Sequence, residues 1–378
     1  MRFKDVIGQH ALKEKLIQSV QEGRVSHAQL FWGIEGSGAL PMALAYAQYL
    51  CCTQRLQDDS CGVCPACNKI QKLIHPDLHF AIPVNTTKEV TSDKKPVTEH
   101  FLGQWREALL ENPYITEQGW YEMLGMENKQ GNISVQEATR IIERLNFKPY
   151  ESEYKVMIIW LPERMNAAAA NRLLKLIEEP PTNTLFLLVS VFPDRIIKTI
   201  LSRAMPVRVP PIDERSLAES LMLYRNLDEA LALKMARLAN GNYSEALRLA
   251  ENEDEKTDYF EWFCQLMRSA FIADGLALMD WANEIASIGR EQQKNFLLYA
   301  ERLMRESLML HYDIEKVVYL TKEEESFALK FSPFVHEKNV GEIYRQFNLA
   351  MAHIGQNGNA KIIFTDLAIT MPRLLARA

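Results

Sequence analysis

A glycine-rich octet has the spacing of a phosphate-binding loop. Gly33, Gly36 and Gly38 supply the glycines, but Ala39 and Leu40 occupy the positions where such a loop carries lysine and serine or threonine. In a working loop, backbone N–H groups cradle the phosphates, the lysine neutralises the outer phosphates and the hydroxyl binds Mg²⁺. Both side-chain functions are absent here. The octet predicts either a phosphate loop that has lost its chemistry or a glycine-rich turn that never bound nucleotide.

Five of the six cysteines lie within one short segment, and four of them, Cys52, Cys61, Cys64 and Cys67, have the spacing C-x8-C-x2-C-x2-C. Four thiolates close a tetrahedral Zn²⁺ shell, so the metal would be structural and would not activate water. Cys51 is an alternative to Cys52 as the first ligand. Free thiols or a redox C-x-x-C are the other interpretation, although redox work does not require a third and fourth cysteine.

Composition predicts a soluble protein of two or three domains. The chain has 378 residues, of which 47% are hydrophobic and 24% charged, and its formal net charge is −6. This acidic balance argues against a chain that coats nucleic acid with its whole surface. The N-terminal residues lack an apolar signal core, and no run of about 18 apolar residues occurs. We therefore expect a cytoplasmic protein with no membrane partner.

The elements that would position these residues follow an alternating pattern. Apolar runs predict buried strands of a parallel sheet at residues 30–32, 78–82, 156–160, 185–189 and 206–209. Helices are predicted after the glycine loop, at 135–145 and at 166–179, the last one ending before two prolines. The glycine octet thus has the strand-loop-helix context of a phosphate loop.

Other segments depart from this alternation. Residues 83–132 form an insertion to which we assign no function, with a helix expected near 105–110. The sheet pattern ends at 210–211 and the pattern is helical from residue 215 onwards, and the charged stretch 251–256 is interpreted as a hinge to a third block. The apolar segment 362–369 needs cover, which either an internal core or a neighbouring subunit could provide.

Several motifs occur in order along the chain: Val6-Ile7-Gly8-Gln9, Ser26-His27-Ala28, the four cysteines, His75-Pro76-Asp77, Phe147-Lys148-Pro149, the segment from Leu173 to Pro181, and Ser202-Arg203. Together they resemble the clamp-loader family of bacterial DNA polymerase III, whose members are AAA+ proteins. The resemblance implies an α/β fold in three domains. A parallel-sheet domain would span 1–210 and include the zinc module (51–67), a helical lid would span 211–254, and an all-α, collar-type oligomerisation domain would span 255–378.

The chain departs from the ATP-hydrolysing members of this family at further positions. Those members carry an Asp-Glu pair where this chain has Trp160 and Leu161. Glu163 is a candidate substitute, but it lies beyond a proline and out of register with a strand-end ligand. The resemblance also implies a nucleotide-sensing lid arginine, which falls at Ser244, and a sensor hydroxyl, which Ser190 could supply. Because phosphoryl transfer depends on positioned charge, these losses predict a chain that does not hydrolyse ATP.

One catalytic element of the family is retained. The resemblance implies that Arg203 reaches into the ATP site of an adjacent subunit, although Ala204 replaces the cysteine that usually follows. An arginine supplied in this way stabilises the charge that develops on the transferred phosphoryl group. The alternative is a surface arginine that pairs with a local acid.

The sequence therefore predicts a non-ATPase clamp-loader subunit that contains structural Zn²⁺ and does not bind ATP productively. The resemblance implies ATPase motor subunits and a clamp-opening subunit as partners, and contact with the sliding clamp and primer-template DNA through the complex. Two other functions stay open. An active motor subunit would bind nucleotide, and a stand-alone zinc-containing DNA-binding protein would need a basic face.

Overall fold

The structure, a computed structural model, describes residues 1–91, 93, 95–126, 129–251, 259–314, 318–356 and 358–376. The chain divides into two compact units, Met1–Glu251 and Asn252–Ala378. The predicted hinge at 251–256 falls almost entirely outside the described residues. No helix in the described ranges is both long and apolar enough to cross a membrane. The cytoplasmic location stays a prediction.

A five-stranded parallel sheet forms the centre of the first unit. In chain order its strands are β1 (Ala28–Trp32), β2 (Leu78–Ala81), β3 (Lys155–Trp160), β4 (Thr184–Ser190) and β5 (Met205–Arg208). Their spatial order is β2-β3-β4-β1-β5. Leu30 lies opposite Leu188, and Ile158 lies opposite Leu187. The carboxyl ends of β1, β3 and β4 therefore meet at one edge, as in other parallel α/β sheets.

The predicted strands are confirmed, with one difference in burial. Every residue of β3 and β4 is buried, as expected for strands covered on both faces. In β5, only Val207 is buried, because β5 lies at the edge of the sheet. Pro206 is tolerated there, since an edge strand can lack a backbone donor.

Helices cover both faces of the sheet. Those of the first unit are α1 (His10–Gln21), α2 (Ala39–Cys51), α3 (Pro65–Gln71), α4 (Leu102–Glu111), α5 (Glu117–Met123), α6 (Val135–Leu145), α7 (Ala167–Glu178), α8 (Lys198–Leu201), α9 (Glu214–Arg225), α10 (Glu229–Ala239) and α11 (Tyr243–Glu251). The side chain of Ser134 caps α6 by accepting a hydrogen bond from the Glu137 N–H. Asn166 caps α7 in the same way, and Pro180 cannot extend that helix.

Alternate side chains of each central strand enter different cores. In β4, Leu187 packs into the core that contains α2 and the insertion, whereas Leu188 packs into the core formed with α6 and α7. A smaller core unites α9, α10 and α11 around Leu217, Leu221 and Met235. These three helices belong to the first compact unit, so a separate lid domain at 211–254 stays a prediction.

The second unit is helical throughout its described residues. Its helices are α12 (Tyr259–Phe271), α13 (Gly275–Ser287), α14 (Arg290–His311), α15 (Lys322–Phe331), α16 (Glu337–Gly355) and α17 (Ala360–Leu375). The core of this unit contains Trp281, Phe296 and Phe364. The apolar segment 362–369 is thus covered on one face by its own unit, while Ile362 and Ile369 are 68% and 61% exposed.

Candidate functional site

The four cysteines of the predicted metal site are held by helix ends. Cys52 is the C-cap residue of α2, and Cys64 is the N-cap residue of α3, which begins with Pro65. The Sγ of Cys64 accepts a hydrogen bond from the Cys67 N–H at 3.4 Å. Because proline fixes the first turn of a helix, the loop and the short helix position two of the four sulfurs.

The four Sγ atoms lie within 4.8 Å of one another. The distance from the Sγ of Cys52 is 3.6 Å to Cys61 and 4.0 Å to Cys64, and Cys61 lies 3.9 Å from Cys67. Zn–S bonds of about 2.3 Å in a tetrahedron place the sulfurs about 3.8 Å apart. The sulfurs are much farther apart than the about 2.05 Å of a disulfide. This group of thiols can therefore hold a metal ion.

Hydrogen bonds orient the sulfurs and favour the thiolate form of Cys64, whereas burial raises the pKa values of Cys52 and Cys67. The Cys61 N–H donates to the Sγ of Cys52 at 3.4 Å, and the Cys64 N–H donates to the Sγ of Cys61 at 3.3 Å. Burial by itself raises the pKa of Cys64, but hydrogen bonds from Thr53 and from the Cys67 N–H outweigh it and lower this pKa to about 6. The thiolate is the form that binds metal.

Cys51 does not belong to this group. Its Sγ lies 3.8 Å from the carbonyl oxygen of Tyr154. Burial raises the pKa of Cys51 to about 12, which keeps this thiol protonated at neutral pH. Of the two adjacent cysteines, the structure brings Cys52 to the cluster.

The glycine loop connects β1 to α2, and side chains from distant segments pack against it. Gly36 and Gly38 have positive φ angles of 69° and 97°, which favour glycine. A Cβ at Gly36 would lie 1.8 Å from the Oδ1 of Asn242. A Cβ at Gly38 would lie 3.2 Å from the Cε1 of Tyr114. The space beside the loop is therefore already filled by residues of the insertion and of the α10–α11 turn.

A cavity of only about 30 Å³ remains between the glycine loop, the ends of β3 and β4, and the insertion. This volume suffices for about one water molecule. Pockets that bind small molecules usually measure about 300 to 1,000 Å³. The described side chains therefore leave much less room beside the loop than a small-molecule pocket usually has.

Tyr114 connects three segments over the glycine loop. Its hydroxyl accepts a hydrogen bond from the Ile7 N–H at 2.8 Å. Its carbonyl oxygen accepts one from the Oγ of Ser244 at 2.6 Å. Its ring packs against Tyr243, with 4.8 Å between the centroids. Ser244, which stands where the resemblance implies a lid arginine, thus helps to hold the insertion in place.

Acidic side chains lie beside the loop. The Glu117 N–H donates a hydrogen bond to the Oε1 of Glu35 at 3.2 Å. The Glu117 carboxylate also forms a bidentate ion pair with Arg164, at 2.6 and 2.7 Å. Burial raises the pKa of Glu35, and the nearby carboxylates of Glu117 and Glu245 raise it further. These contacts tie the glycine loop to the insertion and to the segment after β3.

An aromatic cluster covers the end of β3, where an ATPase would carry its metal-binding carboxylate. Trp160 packs against Trp105 with 4.9 Å between ring centroids, and Trp105 packs against Trp120 at 5.1 Å. Leu161, the next residue, is also buried. Two tryptophans of the insertion thus help to fill the space beside the strand end.

The candidate substitute Glu163 has a different role. Its Oε1 accepts hydrogen bonds from the N–H groups of Val191 and Phe192, both at 3.0 Å, so this carboxylate fixes the loop after β4. The hydroxyl of Ser190 is buried and has no hydrogen-bond partner in the described part of the chain. The carbonyl oxygen of Ser190 accepts a hydrogen bond from the Gly33 N–H at 3.4 Å.

Arg203 lies between α8 and the edge strand β5. Its Nε donates a hydrogen bond to the Oε2 of Glu178 at 2.8 Å. The Arg203 side chain is 32% exposed and that of Glu178 is 53% exposed. This local ion pair is what the surface-arginine interpretation expects. A role towards an adjacent subunit stays a prediction.

Sequence reasoning missed the residues that close the glycine loop. Tyr114 and Glu117 lie in the insertion, to which no function was assigned. Their partners Ile7, Arg164 and Ser244 are 47 to 130 residues away along the chain. The aromatic residues of the insertion were the available signal, because so many rings in one segment imply that it packs against the sheet domain.

Comparison with known proteins bears on the identity of the chain. A model of the family described as "DNA polymerase III, delta subunit" matches residues 8–213, more than half of the chain. The chain belongs to this family. The match covers the sheet, the cysteine cluster, the glycine loop and Arg203.

Individual relatives within DNA polymerase III agree with this assignment. The delta' subunit of Escherichia coli (strain K12) is 25% identical over 364 residues, which are 96% of this chain and 93% of that protein. The delta' subunit of Bacillus subtilis (strain 168) is 27% identical over 239 residues, 63% of this chain and 58% of that protein. The tau/gamma subunit of Haemophilus influenzae is 24% identical over 254 residues, 66% of this chain and 30% of that protein. Identity alone does not separate the two subunit types.

Proposed function

We propose that this chain is a non-hydrolysing clamp-loader subunit of the delta-prime type, which helps its partner subunits to place the sliding clamp on primed DNA. The observation that carries this proposal is the closed glycine loop, where about 30 Å³ of space remains. The similarity to a delta' subunit extends over 96% of this chain, but similarity to a gamma subunit extends over 91%, so the subunit type is argued from the loop.

The chemistry of the loop region also favours a chain without ATPase activity. Phosphoryl transfer depends on charges that are positioned around the phosphates and Mg²⁺. Apolar or neutral residues occupy the five positions where the ATPase members of the family carry those groups: Ala39, Leu40, Trp160, Leu161 and Ser244.

Arg203 is proposed to act on the nucleotide of an adjacent ATPase subunit. It lies beside the edge strand of the sheet and is partly exposed. An arginine finger supplied in trans is worth about 10³- to 10⁵-fold in the rate of phosphoryl transfer. A chain without its own ATPase can therefore control the hydrolysis of a neighbour.

The cysteine cluster is proposed to bind one structural Zn²⁺. Four thiols at tetrahedral spacing leave no open position for water or substrate. When bound, the metal would supply a cross-link between the end of α2 and the start of α3. Asp59, within the same loop, accepts hydrogen bonds from the N–H groups of Phe3 and Lys4, both at 3.0 Å, and joins this module to the N-terminal segment.

Calorimetric titration of the purified chain with Mg·ATP tests the proposal. We expect no binding in the micromolar range and no hydrolysis, because the loop lacks both space and positive charge. The positive control is a tau/gamma subunit from the same organism in the same assay. Micromolar binding or turnover by this chain alone would favour the motor-subunit alternative.

A variant that restores both missing loop side chains extends this test. Replacing Ala39 with lysine and Leu40 with threonine restores the two side chains that the loop lacks. Hydrolysis should still be absent, since Trp160 and Leu161 supply no metal-binding carboxylate.

The DNA-binding alternative is tested separately by a salt-dependent titration with primed DNA, where direct tight binding by the isolated chain would contradict our proposal.

A further inference from the structure

The guanidinium group of Arg203 is held on two of its three nitrogens. Nε donates to the Oε2 of Glu178 at 2.8 Å. Nη1 donates to the carbonyl oxygen of Thr199 at 3.0 Å and to the Oγ of Ser202 at 3.3 Å. The described part of the chain offers Nη2 no acceptor. The remaining edge of the fork is therefore free to donate to an anionic oxygen outside the chain.

The position of Glu178 is not explained by helix stability. Glu178 is the last residue of α7, and Pro180 ends the helix shortly after it. A carboxylate at a helix C-terminus faces the negative end of the helix dipole, which is unfavourable. An exposed ion pair adds little stability in return. Glu178 thus adds little to the stability of α7, but it places an acceptor beside the Nε of Arg203.

We propose that Glu178 is a positioning residue for Arg203, holding Nε so that Nη2 faces the transferring phosphate of an adjacent subunit's nucleotide. This inference rests on the proposed role of Arg203. A free arginine side chain loses rotamer entropy when it is fixed, and a held guanidinium has lost part of that freedom before the phosphate is present. Misplacement by about 1 Å can cost about 10²-fold in rate, so the contact matters for hydrolysis more than for folding.

Glu178 could act in the opposite direction, as a latch that masks the arginine's charge, and the two roles predict opposite results. A positioning residue needs only an acceptor oxygen, which glutamine retains and alanine lacks. In that case Glu178→Ala should slow hydrolysis and Glu178→Gln should not. If Glu178 is a latch, both substitutions should speed hydrolysis, because both remove the competing charge.

The test is steady-state ATP hydrolysis by the loader reconstituted from all its subunits, with sliding clamp and primed DNA. We expect Glu178→Ala to lower kcat about tenfold and leave the KM for ATP unchanged, whereas Glu178→Gln stays within about twofold of the wild type. Glu179→Ala is the matched control, because Glu179 is the next residue, is exposed and has no ion pair in the described structure. This control should match the wild type.

Two further variants separate the possible failures. In an Arg203→Ala background, Glu178→Ala should cause no additional loss, since Glu178 acts through Arg203. If Arg203→Ala alone leaves hydrolysis unchanged in an assembled complex, both the proposed arginine finger and this inference are wrong. If Arg203→Ala slows hydrolysis but Glu178→Ala does not, only the positioning role is overturned. If the Glu178→Ala variant does not assemble, Glu178→Asp is the substitute. Its shorter side chain keeps the charge but moves the carboxylate oxygen away from the Nε of Arg203, so it should also lower kcat.

Discussion

Arg203 keeps a full positive charge in a chain whose own glycine loop has lost the side chains that bind phosphate. Its guanidinium is partly exposed and makes contacts only with neighbouring residues of α7 and α8 in the described structure. A surface pair of this kind is worth about 0 to 1 kcal/mol, so the fold does not depend on it. The same group aimed at a phosphate in a dry interface would have a large effect on rate.

We expect Arg203→Ala to leave the chain folded and able to join the complex, while clamp- and DNA-stimulated ATP hydrolysis falls about 10³-fold or more. Arg203→Lys should restore little of that rate, because a point charge lacks the planar fork of donors. The measurement is steady-state hydrolysis by the reconstituted loader, with gel filtration to verify assembly. Arg195→Ala is a suitable control, since Arg195 stacks on Phe192, with 4.4 Å from its Cζ to the ring centroid, and is assigned no role in hydrolysis.

Unchanged hydrolysis in a fully assembled Arg203→Ala complex would assign this residue to the local ion pair with Glu178. Loss of assembly would instead show that Arg203 contributes to an interface, and the Lys variant would then separate charge from geometry.

At the scale of elements, we expect the stability of the cysteine module to depend on a bound metal ion. We expect about one zinc per chain in freshly purified, reduced protein, and Cys64→Ser should lose both the metal and local stability. Zinc content is measured by elemental analysis, and stability by thermal unfolding with and without a chelator. Acid should release the metal, because protons compete for the thiolates.

The chain supplies a matched control for this substitution. Cys51 is adjacent to the cluster, but its thiol lies against the carbonyl oxygen of Tyr154, so Cys51→Ser should retain the zinc. Metal-free wild-type protein, or a Cys51→Ser variant that loses zinc while Cys64→Ser keeps it, would contradict the assignment of ligands.

Elements with strong local signals were predictable from the sequence. Helix α6 has the predicted bounds, because Ser134 caps its start and an amphipathic pattern fills its length. The buried strands were found as apolar runs, and the cysteine spacing predicted a cluster that the structure assembles. The ends of elements were less accurate, as in β5, which spans Met205–Arg208 where the sequence predicted 206–209.

The closure of the glycine loop could not be predicted in this way. It depends on Tyr114 and Glu117 reaching Ser244 and Arg164, and these contacts join segments that are far apart along the chain. No periodicity or motif encodes such contacts, since they exist only after the insertion has packed against the sheet. The aromatic content of the insertion indicated that it packs, but not where.

For the whole molecule, we expect the chain to be isolated as part of a hetero-oligomer. When it is co-expressed with the other clamp-loader subunits of its organism, native mass measurement should find it in one complex with the ATPase subunits. The reason is chemical, since an arginine that serves a neighbour's ATP requires that neighbour to be bound. Recovery of this chain only as a monomer, while the remaining subunits assemble without it, would contradict the proposed membership.

The cavity of about 30 Å³ beside the glycine loop also affects how the assembly could transmit force. A ligand shifts a conformational equilibrium only by its difference in affinity for the two states, so a nucleotide that does not bind cannot shift this chain. If the proposed function holds, the glycine loop would have no nucleotide state of its own while partner subunits alternate between ATP and ADP. This subunit would then respond to that cycle only through its contacts with those partners.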